Sequence, residues 1–205
     1  MNSDNIEKKF DKTIFDGLFM KNTVLASGLV VAPIVAVATT LQSAVALVIA
    51  FSLITFLTVL ISSFVPRDIV YAVRIILYTI IAAMVYVPVA VFADSFMNQQ
   101  FSALGIMFPL LVTNSLIITR TELHFFKLDK LRMLSEVFFY ILGFDVVAII
   151  VGVIREILAT GAIGDKIIGI HFTLPFLSTT FGGFILIGIL AAILKKIKLI
   201  IRSHS

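Results

Sequence analysis

The residue of greatest chemical consequence in this chain of 205 residues is Asp145, set in the apolar run GFDVVAII (143–150). A charged group near the centre of a bilayer costs on the order of 3 kcal/mol or more unless it is paired or hydrated. Two readings stay open from the residues alone: a cation or proton site on an ion path, or a carboxyl that is protonated or locally paired and fixes helix packing. Asn114 and Ser115, beside Thr113, form a second polar group inside an apolar stretch. They can line the same path or hydrogen-bond across helices. Arg155 and Glu156 are neighbours in sequence, and neighbours on a helix do not face each other, so each needs a partner on another element. Cysteine is absent, which removes thiolate ligands, thiol nucleophiles and disulfides. There is no phosphate loop, HExxH, nucleophile elbow or dinucleotide fingerprint, and His124 and His171 lack ligand spacing. The residues therefore assign no catalytic group, no metal and no cofactor to this chain by itself.

The elements that must carry these groups follow from composition. Sixty per cent of the residues are apolar and 14% are charged, against about 25% charged in ordinary soluble domains. The net charge of +4 does not indicate a nucleic-acid partner, because the bases fall in clusters between long apolar runs. Residues 22–66 carry no charge, enough for two crossings of about 20 residues each. The segment Thr39–Ser43 is the expected break between them. Further spans are expected at Ile69–Ala93, Ser95–Thr119, Leu134–Leu158 and Phe172–Leu194, with Arg74 snorkelling at the start of the third. The expectation is an all-α integral membrane protein of six spans over residues 22–202. Residues 1–21 precede them. Ile6, Phe10, Ile14 and Leu18 recur every fourth position opposite Lys8, Lys9 and Lys12, which predicts an amphipathic helix on the cytoplasmic membrane surface.

Thirteen of the 16 lysines and arginines fall on the side that would hold both termini and the loops after spans two and four. Only Arg155 and Lys166 fall on the other side. The positive-inside rule then places the N- and C-termini in the cytoplasm. Lys195, Lys196 and Lys198 would anchor the last span to anionic headgroups.

The six spans divide into two halves, about 22–94 and 95–202. Gly28 and Pro33 interrupt the opening span of the first, and Gly105 and Pro109 that of the second. Proline removes a backbone donor and crowds the preceding turn, so helices 1 and 4 are expected to be interrupted. Arg67-Asp68-Ile69 in the first half is echoed by Arg155-Glu156-Ile157 in the second. Three spans per half is an odd number, so the halves would be inverted repeats. Matching interruptions in inverted halves point to a functional site near the midplane.

At these residues the chain resembles the six-span membrane subunits of the Rnf and Nqr ion-translocating electron-transport complexes, closest to the RnfE/NqrD branch. The stretches that carry the resemblance are GLFMKNTVLASGLVVAPIVAVATT (17–40), LGIMFPLLVTNSLIITRTE (104–122), GFDVVAIIVGVIREILATG (143–161) and FGGFILIGILAAILKKI (181–197). The resemblance implies a homologous sister subunit packed in the opposite orientation, in the cytoplasmic membrane of a bacterium or archaeon. It also implies further electron-transport subunits bearing flavins and Fe–S clusters. In the family, each sister supplies two cysteines from its broken helices to an intramembrane [2Fe–2S] cluster. Here those places hold Ala32, before Pro33, and Ser115, after Asn114. A methyl group cannot ligate iron, and a serine hydroxyl is a hard, poor substitute for thiolate.

Two functions stand side by side. One is a membrane subunit of an Rnf- or Nqr-like ion-translocating oxidoreductase that does not ligate the cluster itself. The other is a redox-inactive paralogue acting as a transporter, channel or scaffold.

Overall fold

The computed structural model describes residues 24–25, 28, 30–66, 68–102, 105–113, 121–123, 130–164, 166–167 and 173–203. The surface helix expected over residues 1–21, Arg67, Asn114, Ser115, His124 and His171 lie outside them.

The described chain is almost entirely helical. In order it forms α1 (Val31–Val37), α2 (Leu41–Ser62), α3 (Tyr71–Ser102), α4 (Met107–Leu110) continued by a 3-10 turn (Leu111–Thr113), α5 (Thr121–Leu123) and α6 (Lys130–Thr160). A small antiparallel hairpin follows, β1 (Ala162–Ile163) with β2 (Lys166–Ile167), in which Ala162 pairs with Ile167. A 3-10 turn (Pro175–Ser178) then leads into α7 (Thr180–Ser203). Four of these helices, α2, α3, α6 and α7, are long and apolar enough to cross a membrane. At 1.5 Å per residue even the 22-residue α2 is about 33 Å long, which matches a hydrocarbon core of about 30 Å.

The first and fourth apolar stretches fold differently. In each, a glycine with positive φ (66° at Gly28, 49° at Gly105) precedes a short helix whose third residue is proline. A residue with a Cβ is strained there, whereas glycine is not. Proline is tolerated in a first turn because that amide has no intrahelical acceptor. Glycine and proline thus start short helices here; neither kinks a long one. Val30 also adopts a left-handed conformation, φ 58° and ψ 28°, directly before α1, a costly geometry for a β-branched residue.

Two features differ from the expectations. Helix α3 is continuous through Ala93 and Ser95 and ends at Ser102, so the chain stays helical across the boundary expected between the third and fourth spans. Its apolar pattern covers Tyr71–Ala93, and helix-compatible residues carry it on beyond. The second concerns Arg74. It does not snorkel freely but pairs with Glu122 of α5, and its Nη1 donates to Ile69 O at 2.8 Å.

The core lies between α2 and α6, which run antiparallel. At one end a Cβ on Gly152 would stand 2.6 Å from Ala44 Cβ, so only glycine permits this approach. At the middle Phe51 and Phe144 stack with ring centroids 3.7 Å apart. At the other end Lys130 Nζ sits 4.7 Å above the Phe64 ring. Ala44, Leu47, Ala50, Phe51, Phe144, Ala148 and Val151 have little or no exposure. Helices α3 and α7 flank this pair and leave apolar stripes outside. One runs through Val73, Ile76, Ile80, Met84, Val87 and Val91, and the other through Phe181, Ile185, Ile189, Ile193 and Ile197. Such faces suit lipid or a partner chain.

Candidate functional site

Asp145 and Ser52 stand at the midpoints of α6 and α2. The Ser52 hydroxyl lies 3.1 Å from Oδ1 and 2.9 Å from Oδ2 of Asp145, donating to the carboxylate. Asp145 is 9% exposed. The nearest ionisable positions on its own helix are Tyr140 and Glu136 on one side and Arg155 and Glu156 on the other, and α2 has none. Glu136 and Arg155 are each about 14–15 Å away along the axis. The residues next to this pair, Phe51 and Phe144, stack on each other across the same interface. Sequence reasoning singled out Asp145 and missed Ser52. The available signal was that Ser52, Thr55, Thr58 and Ser62 recur three, three and four residues apart, on one helix face.

Arg155 and Glu156 are organised around the turn that separates α1 from α2. The Arg155 guanidinium is fully buried and every described acceptor is a backbone carbonyl. Its Nη1 donates to Val35 O at 2.9 Å and Ala38 O at 3.0 Å, at the C-terminal end of α1. Its Nε donates to Leu177 O at 2.8 Å, and its Nη2 donates to Ser178 O at 3.1 Å and Thr179 O at 3.0 Å. The last carbonyls of a helix have no intrahelical donor, so one planar cation satisfies the ends of two short helical segments at once. Gly183 makes room for it: a Cβ there would stand 3.2 Å from Arg155 Cζ.

Glu156 faces the opposite pole. Its Oε2 accepts from Leu41 N at 2.8 Å, the first amide of α2, and its Oε1 accepts from Gly164 N at 2.9 Å in the hairpin turn. Thr40 and Ser43 complete a capping box at the same helix start. A cation on a helix C-terminus and an anion on the next helix N-terminus complement both dipoles. The Arg-acid pair therefore holds the reversal between α1 and α2. The corresponding Asp68 is exposed in the turn after α2, so the two triplets occupy different settings.

A second polar cluster was not singled out from the sequence. Glu122 accepts from Arg74 and, at 2.8 Å, from the Tyr78 hydroxyl, tying α5 to α3. An acid directly after the apolar stretch of span four, with an arginine early in span three, was the only signal for it.

Of the remaining predicted residues, Gly28, Ala32, Gly105 and Pro109 are exposed and Pro33 is half-buried, all on α1, α4 or the turns before them. Lys195 and Lys196 are exposed near the end of α7. Among the described residues no three of His, Cys, Asp or Glu are grouped to hold a metal. Ala32 presents a methyl group, and the chain has no cysteine anywhere, so its residues do not fit a thiolate-held iron–sulfur cluster.

Known proteins are similar to this chain in sequence. The Rnf-Nqr family, described as "Rnf-Nqr subunit, membrane protein", matches residues 10–193. A relative from Shewanella oneidensis, named as the E-type member of an ion-translocating oxidoreductase complex, is 30% identical over 87% of this chain and 84% of its own. Relatives with the same name from Vibrio vulnificus and Aliivibrio fischeri are 32% and 33% identical, over 75% and 74% of this chain and 67% of each of theirs. The family match takes in both short helices, the Arg155–Glu156 turn, three long helices and most of the fourth, and it leaves one assignment: this chain belongs to the Rnf-Nqr family of membrane subunits.

Proposed function

We propose that the chain is an integral membrane subunit of an ion-translocating oxidoreductase complex and contributes no ligand to an intramembrane [2Fe–2S] cluster. The observation that carries the first half is similarity over most of the chain to proteins named as the E-type member of such a complex. The second half rests on the absence of cysteine, with Ala32 on the exposed side of α1. In this reading electrons travel through flavins and clusters on partner subunits. The present chain packs against a homologous sister subunit of opposite orientation, and together they form the membrane core. The short helices α1 and α4, each led by a positive-φ glycine, support a six-span inverted repeat in which both would face that sister. The charge distribution supports a cytoplasmic membrane location with both termini inside.

Purification of the tagged chain from its native membranes in mild detergent tests this. Flavin-bearing redox subunits and a homologous membrane chain should co-purify. Recovery without redox subunits would overturn the complex. A [2Fe–2S] cluster in the complex that is lost on Ser115→Ala would overturn the statement about ligands.

The buried Asp145, together with the missing thiolates, favours one alternative: a redox-inactive paralogue that serves as a transporter, channel or scaffold. Solute movement by the chain purified alone would support it.

A further inference from the structure

Polar and apolar residues divide unevenly between the two ends of the α2–α6 pair. From Asp145 towards Arg155, α6 reads VVAIIVGVI (146–154), and α2 alongside reads AVALVIAF (44–51). No side chain in either stretch can carry a proton. The stacked Phe51 and Phe144 rings lie at the level of the Ser52–Asp145 pair, where the apolar half begins. The other half is different. Ser52, Thr55, Thr58 and Ser62 lie on one face of α2, and Thr55, Thr58 and Ser62 are fully buried. Among the described residues the hydroxyls of Thr58 and Ser62 have no hydrogen-bond partner. Buried hydroxyls are ordinarily satisfied, so two without a protein partner in series on one stripe need an account, and ordered water is one. The stripe ends at the fully buried Ser62, two residues before Phe64, which is exposed and carries the Lys130 ammonium over its ring.

We propose that Asp145 is a proton-loading site reached from one side only, along the hydroxyl stripe Ser52, Thr55, Thr58 and Ser62. The inference rests on the reading of the chain as part of an ion-translocating complex and specifies what this chain handles. A hydronium at the Phe64 end, beyond Ser62, gives up a proton and becomes water. The proton passes along the hydroxyls and their hydrating water, and the Asp145 carboxylate becomes a neutral carboxylic acid. Release reverses the same steps. The ligand is a proton because a hard metal cation takes six or more oxygens, whereas Asp145 is served by a single hydroxyl among the described residues. The apolar stretches 146–154 and 44–51 offer no onward relay in this conformation.

The test uses the complex containing the full chain, reconstituted in vesicles of known orientation. Dicyclohexylcarbodiimide reacts with protonated carboxyls in apolar surroundings, and its attachment to Asp145 is read by mass spectrometry while the pH is changed on one side. Acidifying the Ser62 side should raise labelling, acidifying the opposite side should leave it unchanged, and sodium at constant pH should not protect. Thr58→Val combined with Ser62→Ala keeps the carboxyl and removes two relay hydroxyls. It should slow the response to a pH jump about tenfold, as expected when lost hydrogen bonds raise a transfer barrier. Control by the opposite side, protection by sodium, indifference to pH, or an unchanged rate in the double variant would each overturn the proposal. Any of these in a complex that still contains its redox subunits leaves the complex reading intact, so the two failures are distinguishable.

Discussion

At the scale of single residues, the polar groups inside the bilayer separate into those that hold structure and those left unsatisfied. Arg155 belongs to the first kind. Its replacement by methionine removes the described donor to the carbonyls of Val35, Ala38, Leu177 and Ser178, while Thr179 O keeps the Gly183 amide. We expect a loss of at least about 3 kcal/mol, given that hydrogen bonds to a charged group contribute about 1.5–3 kcal/mol each. Thermal unfolding in detergent reads this. Arg155→Lys should rescue only part, because an ammonium has three donors and cannot span two segments as the guanidinium does. Thr58 belongs to the second kind. Thr58→Val should be neutral or stabilising by about 1 kcal/mol in the same assay, since it removes a buried hydroxyl that has no protein partner among the described residues. A stabilised but slower variant would separate transport from folding. The positions of Asp145, Arg155 and Glu156 were legible in the sequence because ionisable residues are conspicuous in apolar runs. Their partners were not. Arg155 binds backbone carbonyls, which every residue carries, and Ser52 is one of many hydroxyls in the spans.

At the scale of elements, the start of α2 was readable almost to the residue. Thr39–Ser43 contains the Thr40 cap and the Ser43 partner, a local pattern that needs no tertiary information. The positive φ at Gly28 and Gly105 is likewise a local matter, as glycine and proline act on their own backbone. The end of α3 was not readable. Residues 94–102 include Asp94 and Asn98, which end the apolar pattern but not the helix, so hydropathy stops at Ala93 while the helix runs on to Ser102. Close approaches were also hidden, because a glycine in a helix looks alike whether it faces lipid or another backbone. The structure separates these cases. Gly152→Ala meets Ala44 Cβ at 2.6 Å and Thr40 O at 3.0 Å, and should cost about 1–3 kcal/mol through overpacking. Gly182→Ala meets the Phe176 carbonyl and should behave the same way. Gly188→Ala meets nothing within 4 Å and should be tolerated or gain up to about 1 kcal/mol from helix propensity. The order of melting temperatures across the three variants tests the packing of α2 on α6 and of α7 on the 3-10 turn.

At the scale of the whole molecule, a cysteine-free chain makes orientation simple to measure. Lys166→Cys, in the hairpin, should react with a membrane-impermeant maleimide added to intact cells. Lys195→Cys, at the far end of α7, should react only after permeabilisation. The reverse pattern would invert the orientation drawn from the positive-inside rule. Fold class and membrane character were legible at this scale because composition alone sets them. What this chain does within an assembly was not, because the outward stripes on α3 and α7 have the same composition whether they meet lipid or a sister subunit. The direct measurement is native mass spectrometry of the complex purified through a tag on this chain, followed by ejection of the tagged chain. We expect a stoichiometric assembly containing a homologous membrane chain and flavin-bearing redox subunits, with the tagged chain leaving at the mass of its polypeptide. Recovery of the chain alone, or its ejection with iron and sulfide attached, would contradict a redox-driven complex in which this chain grips no cluster.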